Sequence, residues 1–132
     1  MILFLRGLFL VVIVSMLGVT SWATLHQSLG EFARGPVIRD PWVVATLFDA
    51  YWAFITFYVW LAWKEQSLAA RVLWFPAIVL LGNLAMSAYL LVQLFSVPQT
   101  GLLADVFTRR RTGGVALPAA LSALAVGIYL LA

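Results

Sequence analysis

Residues 42–63 read WVVATLFDAYWAFITFYVWLAW, an apolar run of 22 residues with one charged member, Asp49. A membrane-spanning α-helix needs about 20 mostly apolar residues, so this run is long enough to cross a bilayer. Asp40 and Pro41 stand directly before it. An aspartate that caps a helix, followed by proline at the first helical position, marks a helix start. The sequence therefore predicts a spanning helix over residues 42–63.

Three further apolar runs accompany this one. The first carries only Arg6 and is longer than the apolar core of a signal peptide, so it predicts a retained helix. The third has Pro76 in its first turns, where proline is tolerated, and the last has 18 residues and no charge. The pattern predicts an all-α protein with a single domain over residues 1–132. Its expected fold is an integral membrane bundle of four transmembrane helices, three plus a C-terminal extra helix. The predicted helices cover residues 2–25, 42–63, 72–97 and 115–132.

The composition is that of a membrane protein. Hydrophobic residues make up 64% of the chain and charged residues only 10%, where soluble domains carry about 25% charged residues. The core of a soluble protein of 132 residues cannot hide so much apolar surface from water. A soluble enzyme is therefore excluded, and membrane lipids are expected partners. The net charge is +3, and the eight Lys and Arg lie in or near the gaps between apolar runs. This placement is typical of topology signals and headgroup contacts, and it predicts no nucleic-acid partner.

Several kinds of reactive site are excluded by missing residue types. The chain has no cysteine, which removes disulfides, iron–sulfur clusters and cysteine-bound zinc. Its single histidine, His26, excludes a haem held by two histidines of this chain. A phosphate-binding glycine loop, a nucleophile elbow and paired helical histidines are also missing. The sequence therefore predicts no catalytic residue and no metal site, favours a non-enzymatic role and leaves any cofactor unknown.

Two polar features beside the apolar runs have two interpretations each. His26, at the end of the first helix, is either a solvated interfacial histidine or a ligand to a pigment magnesium or a haem completed by another chain. Arg109, Arg110 and Arg111 either fix the topology or contact anionic lipid or an acidic partner. Apolar residues at helical spacing precede these arginines, which predicts a short helix over residues 101–111 in the headgroup plane.

Asp49 is the strongest candidate for a functional side chain. It lies seven residues into its run, about 10 Å below the first polar loop at 1.5 Å per residue. A carboxylate at that depth is costly unless it faces other helices and finds a partner. We therefore expect Asp49 to be a structural hydrogen-bonded acid, a site for a proton, a cation or a ligand, or a substrate contact. Depth along the antiparallel third helix favours Ser87 or Tyr89 over Asn83 as its partner. The buried polar candidates are Asp49, Ser87, Tyr89, Asn83, Thr46 and Tyr51.

Small residues at helical spacing indicate where helices approach closely in lipid. The stripe that contains Asp49 is the expected contact face of the second predicted helix. Two further ridges of small residues serve packing either within the chain or against another subunit. The stripe consists of Trp42, Thr46, Asp49, Ala53, Thr56 and Trp60, and the ridges consist of Ser15, Gly18 and Ser21 and of Ala119, Ala123 and Gly127.

The orientation in the membrane stays unresolved at this level. Four spans place both termini on one side, so Arg6, Lys64 and Arg71 are compared with five arginines of the first and third loops. Three against five favours these loops in the cytoplasm, but the first helix usually dominates and it carries Arg6. The inner or cytoplasmic membrane is the expected location of this multi-pass chain.

Residues 40–51 have the pattern D-P-W-x-V-A-T-L-x-D-x-Y, and residues 57–60 (FYVW) and 64–65 (KE) follow it. This pattern resembles an uncharacterised family of small multi-spanning membrane proteins that is classed only as a domain of unknown function. The resemblance covers roughly residues 1–97 and makes the fourth predicted helix an extension. It implies no activity, but it singles out five positions: Asp40, Asp49, Tyr51, Lys64 and Glu65.

Three hypotheses about function follow. Short loops and the ridges of small residues favour an accessory or assembly subunit of a larger membrane complex, or a homo-oligomer. The first alternative is a transporter or a proton or cation permeation module that uses Asp49. The second alternative is an accessory factor or enzyme in membrane-lipid modification. The expected partners are membrane lipids together with other membrane-protein subunits or further copies of the chain.

Overall fold

The computed structural model describes all of residues 1–132, and it is all-α, with seven α-helices and no strands. Two helices, Ile2–His26 and Pro41–Lys64, are long and apolar enough to cross a membrane by length and composition. The helices are α1 (Ile2–His26), α2 (Leu29–Arg34), α3 (Pro41–Lys64), α4 (Leu68–Leu81), α5 (Asn83–Phe95), α6 (Leu103–Thr108) and α7 (Ala116–Leu131), with a 3-10 turn at Val37–Arg39.

Side-chain caps fix where several of these helices begin. The Asp40 carboxylate accepts hydrogen bonds from the backbone N–H groups of Trp42 and Val43, and Pro41 is the first residue of α3. The Ser28 hydroxyl and the Glu31 carboxylate form a reciprocal capping box at α2. Such caps satisfy N–H groups that have no partner inside the helix, so these starts are encoded locally.

The third predicted span is broken at Gly82. This glycine has φ +52° and ψ −122°, a backbone conformation that side chains strongly disfavour. The ring centroids of Trp74 and Tyr89 lie 5.2 Å apart, whereas a continuous helix would separate these two residues by about 22 Å along its axis. Helices α4 and α5 therefore form a V-shaped hairpin whose tip is Gly82.

The expected bundle of four spans is not confirmed. Helices α4 and α5 have 14 and 13 residues, so each is roughly 20 Å long, shorter than the roughly 30 Å hydrocarbon core of a bilayer. Helix α7 has 16 residues and is about 24 Å long. Only α1 and α3 have the length that the prediction required, because the run 72–97 is continuous in hydropathy but not in backbone conformation.

Helix directions follow from hydrogen bonds between elements. Arg6 near the start of α1 donates to the carbonyls of Leu94 and Val97 at the end of α5, so the packed pair α1 and α5 is antiparallel. Two hydroxyl groups of α7 donate to carbonyls of α4, and both pairs are 49 residues apart, so α4 and α7 are parallel. These bonds join Ser122 to Leu73 at 2.6 Å and Tyr129 to Leu80 at 3.2 Å.

The molecule has two polar ends. The first, called the charged end here, contains the start of α1, the end of α3, and α6, because Val106 packs with Ile2 while the Trp60 indole donates to the Phe107 carbonyl. The second, the loop-one end, contains residues 27–40, and Gly30 there closely approaches Ala132. The two termini therefore lie at opposite ends, whereas the predicted four spans placed them together.

The main core fills the V of the hairpin. Its buried members are Leu61, Ala70, Trp74, Ala77, Ile78, Ala85 and Tyr89, with Phe54 and Phe57 packed against them. The contact stripe of α3 is thus Phe54, Phe57 and Leu61, which is one position away from the predicted stripe around Asp49. The Phe54 ring contacts Gly82 at the tip of the hairpin. The hairpin therefore packs along α3 from the charged end only as far as Phe54.

Candidate functional site

A buried carboxylate, Glu65, lies at the charged end directly after α3. Its side chain is 1% exposed. One carboxylate oxygen, Oε1, accepts a 2.9 Å hydrogen bond from the Tyr89 hydroxyl, and Oε2 accepts one of 2.8 Å from the Gly113 backbone N–H. Burial of a carboxylate is costly unless donors replace water. These two bonds therefore join α3, α5 and the segment before α7 at one point.

Backbone pairing holds this segment in place. Glu65 and Arg111 form a single parallel bridge, in which the Gln66 N–H donates to the Arg111 carbonyl at 2.8 Å. The Arg111 N–H donates to the Lys64 carbonyl at 3.2 Å. On the other side, the Arg71 side chain donates to the Glu65 carbonyl at 2.7 Å. The end of α3 is thereby clamped between residues of the third loop and α4.

The Tyr89 hydroxyl is aimed at Glu65 by aromatic packing. The Tyr89 ring is 1% exposed and meets three other rings edge-on. Its centroid lies 5.2 Å from that of Trp74, 5.8 Å from that of Trp60 and 6.1 Å from that of Phe57. Edge-to-face pairs of this kind are favourable and directional, so the ring has little freedom to turn away from the carboxylate.

Cations outnumber the acid in this region. Lys64 is 1% exposed, and its ammonium group donates to the Arg109 carbonyl at 2.6 Å. Arg71 and Arg111 are the other two cations in contact with Glu65 or its backbone pair. Three positive charges against one negative charge leave a formal excess of two positive charges.

A cavity of about 310 Å³ adjoins this cluster. Two donors of its wall, Gln93 Nε2 and Arg111 Nη1, are buried and have no hydrogen-bond partner. The lining combines polar side chains, apolar side chains and the start of α7. The residues are Glu65, Trp74, Tyr89, Val92, Gln93, Arg111, Gly113, Gly114, Ala116, Leu117 and Pro118.

Asp49 does not face the bundle in this structure. Its side chain is exposed on α3, and Tyr89, an expected partner, donates instead to Glu65. The prediction placed Ser87 and Tyr89 beside Asp49 because it assumed a third helix running straight past α3. The turn at Gly82 reverses the chain at the level of Phe54, which is five residues short of Asp49.

The remaining predicted site residues are dispersed. Ser87 is buried on α5, and Asn83 is exposed directly after the hairpin tip. The Thr46 hydroxyl donates to the Trp42 carbonyl of its own helix, and the Tyr51 ring packs edge-on against Phe54.

The residues at the two polar ends differ in burial. His26 is exposed at the loop-one end, with Nδ1 2.8 Å from the Trp22 carbonyl oxygen. Arg109 and Arg110 are exposed at the charged end, and the Arg110 guanidinium lies 5.7 Å from the Trp63 ring centroid. Arg111 alone of the three predicted arginines lines the cavity.

The residue patterns missed the cluster around Glu65. Glu65 and Lys64 stand where a helix enters a loop, which is typical of solvated residues, and only the family resemblance singled them out. The available signal was on α5, where Tyr89 and Gln93 are four residues apart in a mostly apolar run and therefore share a face.

Comparison with known proteins gives a family but no activity. A family model described as "Protein of unknown function (DUF1475)" matches residues 2–110. The match ends before α7, and it confirms the resemblance to a family of unknown function. No curated protein and no solved structure matches the chain.

Proposed function

Because the chain belongs to the DUF1475 family of proteins of unknown function, we propose its role from geometry: it is a membrane-embedded subunit that assembles with further copies of itself. The observation that carries this proposal is the exposed carboxyl of Asp49, part-way along an apolar helix long enough to span a bilayer.

Insertion into a membrane is supported by the exposure of α1 and α3. In the most apolar 18-residue windows of these helices, only 6% and 0% of the residues are buried. The core helix of a soluble protein has comparable hydropathy but is mostly buried, and water would solvate these two surfaces very poorly. Lipid is the solvent that suits them, with α4 and α5 entering the bilayer from the charged end and returning to it.

The hairpin changes the expected topology. With α4 and α5 re-entrant, Arg34 and Arg39 lie at the loop-one end, and the other six of the eight Lys and Arg lie at the charged end. Six against two is a stronger asymmetry than the three against five of a four-span chain. The positive-inside rule therefore favours a cytoplasmic charged end.

Cysteine labelling tests this topology in a chain that has no native cysteine. We expect Gln27→Cys in intact cells to react with a membrane-impermeant maleimide, and Arg110→Cys to react only after the membrane is permeabilised. Four spans would place both positions on the same side. Equal labelling of the two variants in intact cells would therefore contradict the re-entrant hairpin.

Asp49 needs a partner from outside the single chain. An ionised side chain facing lipid costs about 2.5–3.5 kcal/mol even on the most permissive scales. Above the hairpin tip, α4 and α5 are no longer present to supply a donor. The chain also exposes 8458 Å², whereas a compact monomer of this mass exposes about 6,900 Å². An interface that covers this part of α3 would remove the cost.

A second copy of the chain offers a matching surface. Asp49 is eight residues from Pro41 and Gly18 is eight residues from His26, so each lies about 12 Å from its end of the helix near loop one. A side chain at Gly18 would meet nothing within 4 Å. The exposed ridge of Ser15, Gly18 and Ser21 therefore permits close approach at the depth of the carboxyl, and its two serines lie about 4.5 Å along the axis on either side of that depth.

The expected interface joins α1 of one copy to α3 of the next. Ser21 and Thr46 are each five residues from the corresponding helix end, so they are at equal depth. We expect the double variant Ser21→Cys with Thr46→Cys to form disulfide-linked oligomers on oxidation in native membranes. Each single variant should stay monomeric on a non-reducing gel, because contacts between two different surfaces form heterologous rings or chains.

A matched pair on other faces of the same helices serves as the control. The double variant Ala23→Cys with Val44→Cys, whose residues are each three positions from the corresponding helix end, should give no cross-linked oligomers. Asp49→Leu, which removes the unpaired carboxyl, should weaken cross-linking in the Ser21 and Thr46 background. Cross-linking of neither double variant would refute self-assembly and would favour a different subunit as the partner.

A further inference from the structure

Two buried donors in the cavity beside Glu65 lack acceptors. Gln93 is 1% exposed, yet its Nε2 has no hydrogen-bond partner, and the same holds for Nη1 of Arg111. Buried amide and guanidinium groups are nearly always paired in folded proteins. Both residues line the same cavity, so a single group with acceptor oxygens placed there would satisfy both.

The start of α7 supplies further donors to this cavity. Gly114, Ala116 and Leu117 line it, and no side chain caps the helix at Val115. The first N–H groups of a helix have no partner within the helix, and the helix dipole makes this end positive. An uncapped helix start beside a buried unpaired amide is a favourable place for an anion.

The charges around the cavity also favour an anion. Glu65 is the acid of the cluster, and each of its carboxylate oxygens already accepts one hydrogen bond. Arg111 is the one cation among the lining residues, and Lys64 and Arg71 add two positive charges to the cluster outside the lining. The positive excess is partly shielded from water, because Lys64 is buried and Arg71 and Arg111 are half-buried.

The size and the remaining lining of the cavity indicate what carries the anionic group. About 310 Å³ is more than a single small anion fills. Trp74, Val92 and Leu117 form an apolar part of the wall. We propose that this cavity binds a phosphate group, held by Gln93, Arg111 and the start of α7. The apolar wall accommodates the adjoining part of an amphiphile, which makes a phospholipid headgroup one source of the phosphate and free phosphate the other.

Binding is tested on the full chain, purified in a neutral detergent and freed of lipid. The probes are phosphatidylglycerol, diacylglycerol as the matched lipid without phosphate, and inorganic phosphate. Bound lipid is counted by native mass spectrometry during titration. We expect phosphatidylglycerol to bind and diacylglycerol not to bind, and we expect Gln93→Leu and Arg111→Gln to weaken phosphatidylglycerol binding by about tenfold or more.

Arg110→Gln is the matched control, since it removes the same charge from an exposed neighbour of Arg111. It should leave affinity within about threefold, because exposed charges act weakly. Gln93→Leu should also raise the melting temperature of the lipid-free protein, since it removes an unpaired buried amide. If Gln93 served only in packing, its replacement would not raise the melting temperature while weakening lipid binding.

The outcomes distinguish free phosphate from a phospholipid headgroup as the ligand, and each of them from the absence of a phosphate site. Competition by inorganic phosphate that depends on Gln93 assigns the site to free phosphate, and lipid binding without such competition assigns it to a headgroup. Equal losses in Arg110→Gln and Arg111→Gln would show general attraction to the arginine cluster and overturn the proposal. Unchanged binding in Gln93→Leu, or equal binding of diacylglycerol, would overturn it as well.

Discussion

Replacing Gly82 with alanine is expected to destabilise the protein more than any other exchange of similar size. At φ +52° and ψ −122°, a residue with a side chain carries a backbone strain of about 1–3 kcal/mol. A β-carbon there would also lie 2.5 Å from the end of the Phe54 ring, and such overpacking costs typically about 1–3 kcal/mol. We expect the two effects together to lower the free energy of unfolding by about 2–6 kcal/mol.

A competing conformation makes this position sensitive. Without the break, residues 68–95 would form one helix of 28 residues, which is long enough to cross a bilayer. The glycine favours the hairpin because only the hairpin needs its unusual backbone angles. Alanine favours the straight helix, and that helix would carry residues 96–132 to the other side of the membrane.

The measurement is unfolding in mixed detergent micelles, together with maleimide labelling of Arg110→Cys in the Gly82→Ala background. Gly7→Ala is the control, because Gly7 lies within α1 and a β-carbon there would meet nothing within 4 Å. It should be neutral or stabilise the protein by up to about 1 kcal/mol. If Gly82→Ala matched this control in stability and in labelling, the turn at Gly82 would not exist in solution.

The second large effect is expected at Tyr89. Tyr89→Phe keeps the ring but removes the hydroxyl that donates to Glu65, and a buried carboxylate oxygen left without a donor costs about 1–3 kcal/mol. Tyr89→Ala also removes a ring that contacts Trp74, Trp60 and Phe57, and losses of buried aromatic rings cost about 3–5 kcal/mol. Tyr89→Ala should therefore lower the free energy of unfolding more than Tyr89→Phe does.

Tyr129→Phe controls for loss of a tyrosine hydroxyl as such. Its hydroxyl donates to the Leu80 carbonyl, but the residue is 44% exposed, so we expect a change within about 0.5 kcal/mol. Combining Tyr89→Phe with Glu65→Leu should cost less than the sum of the single changes, because the second change removes the unsatisfied acceptor. Full additivity of the pair would show that the bond between these residues contributes nothing to stability.

The lengths and starts of α1 and α3 follow from local sequence. Each is a run of more than 20 mostly apolar residues, and Asp40 with Pro41 marks the start of α3 through bonds to residues two and three positions away. The hairpin could not be predicted in this way. A glycine within an apolar run is compatible with a straight spanning helix, and the decision depends on contacts between Trp74 and Tyr89 that form only after the chain has turned.

The cluster around Glu65 was hidden for a related reason. Its bonds join residues that are 24 and 48 positions apart, and no periodicity within one helix reveals such distances. Asp49 attracted attention because a single charge in an apolar run is a local signal. The depth argument that assigned its partners assumed a straight third helix, so the different partner of Tyr89 and the unforeseen turn at Gly82 have the same origin.

The hairpin also gives the molecule an uneven cross-section. Near the charged end five helices lie side by side, α1, α3, α4, α5 and α7, whereas beyond Gly82 α4 and α5 are missing. Each helix with its side chains is about 10 Å wide, so the protein, embedded as proposed above, would take up more area in one leaflet than in the other. A wedge of this shape fits a bent bilayer better than a flat one, and many copies side by side would turn this preference into membrane curvature.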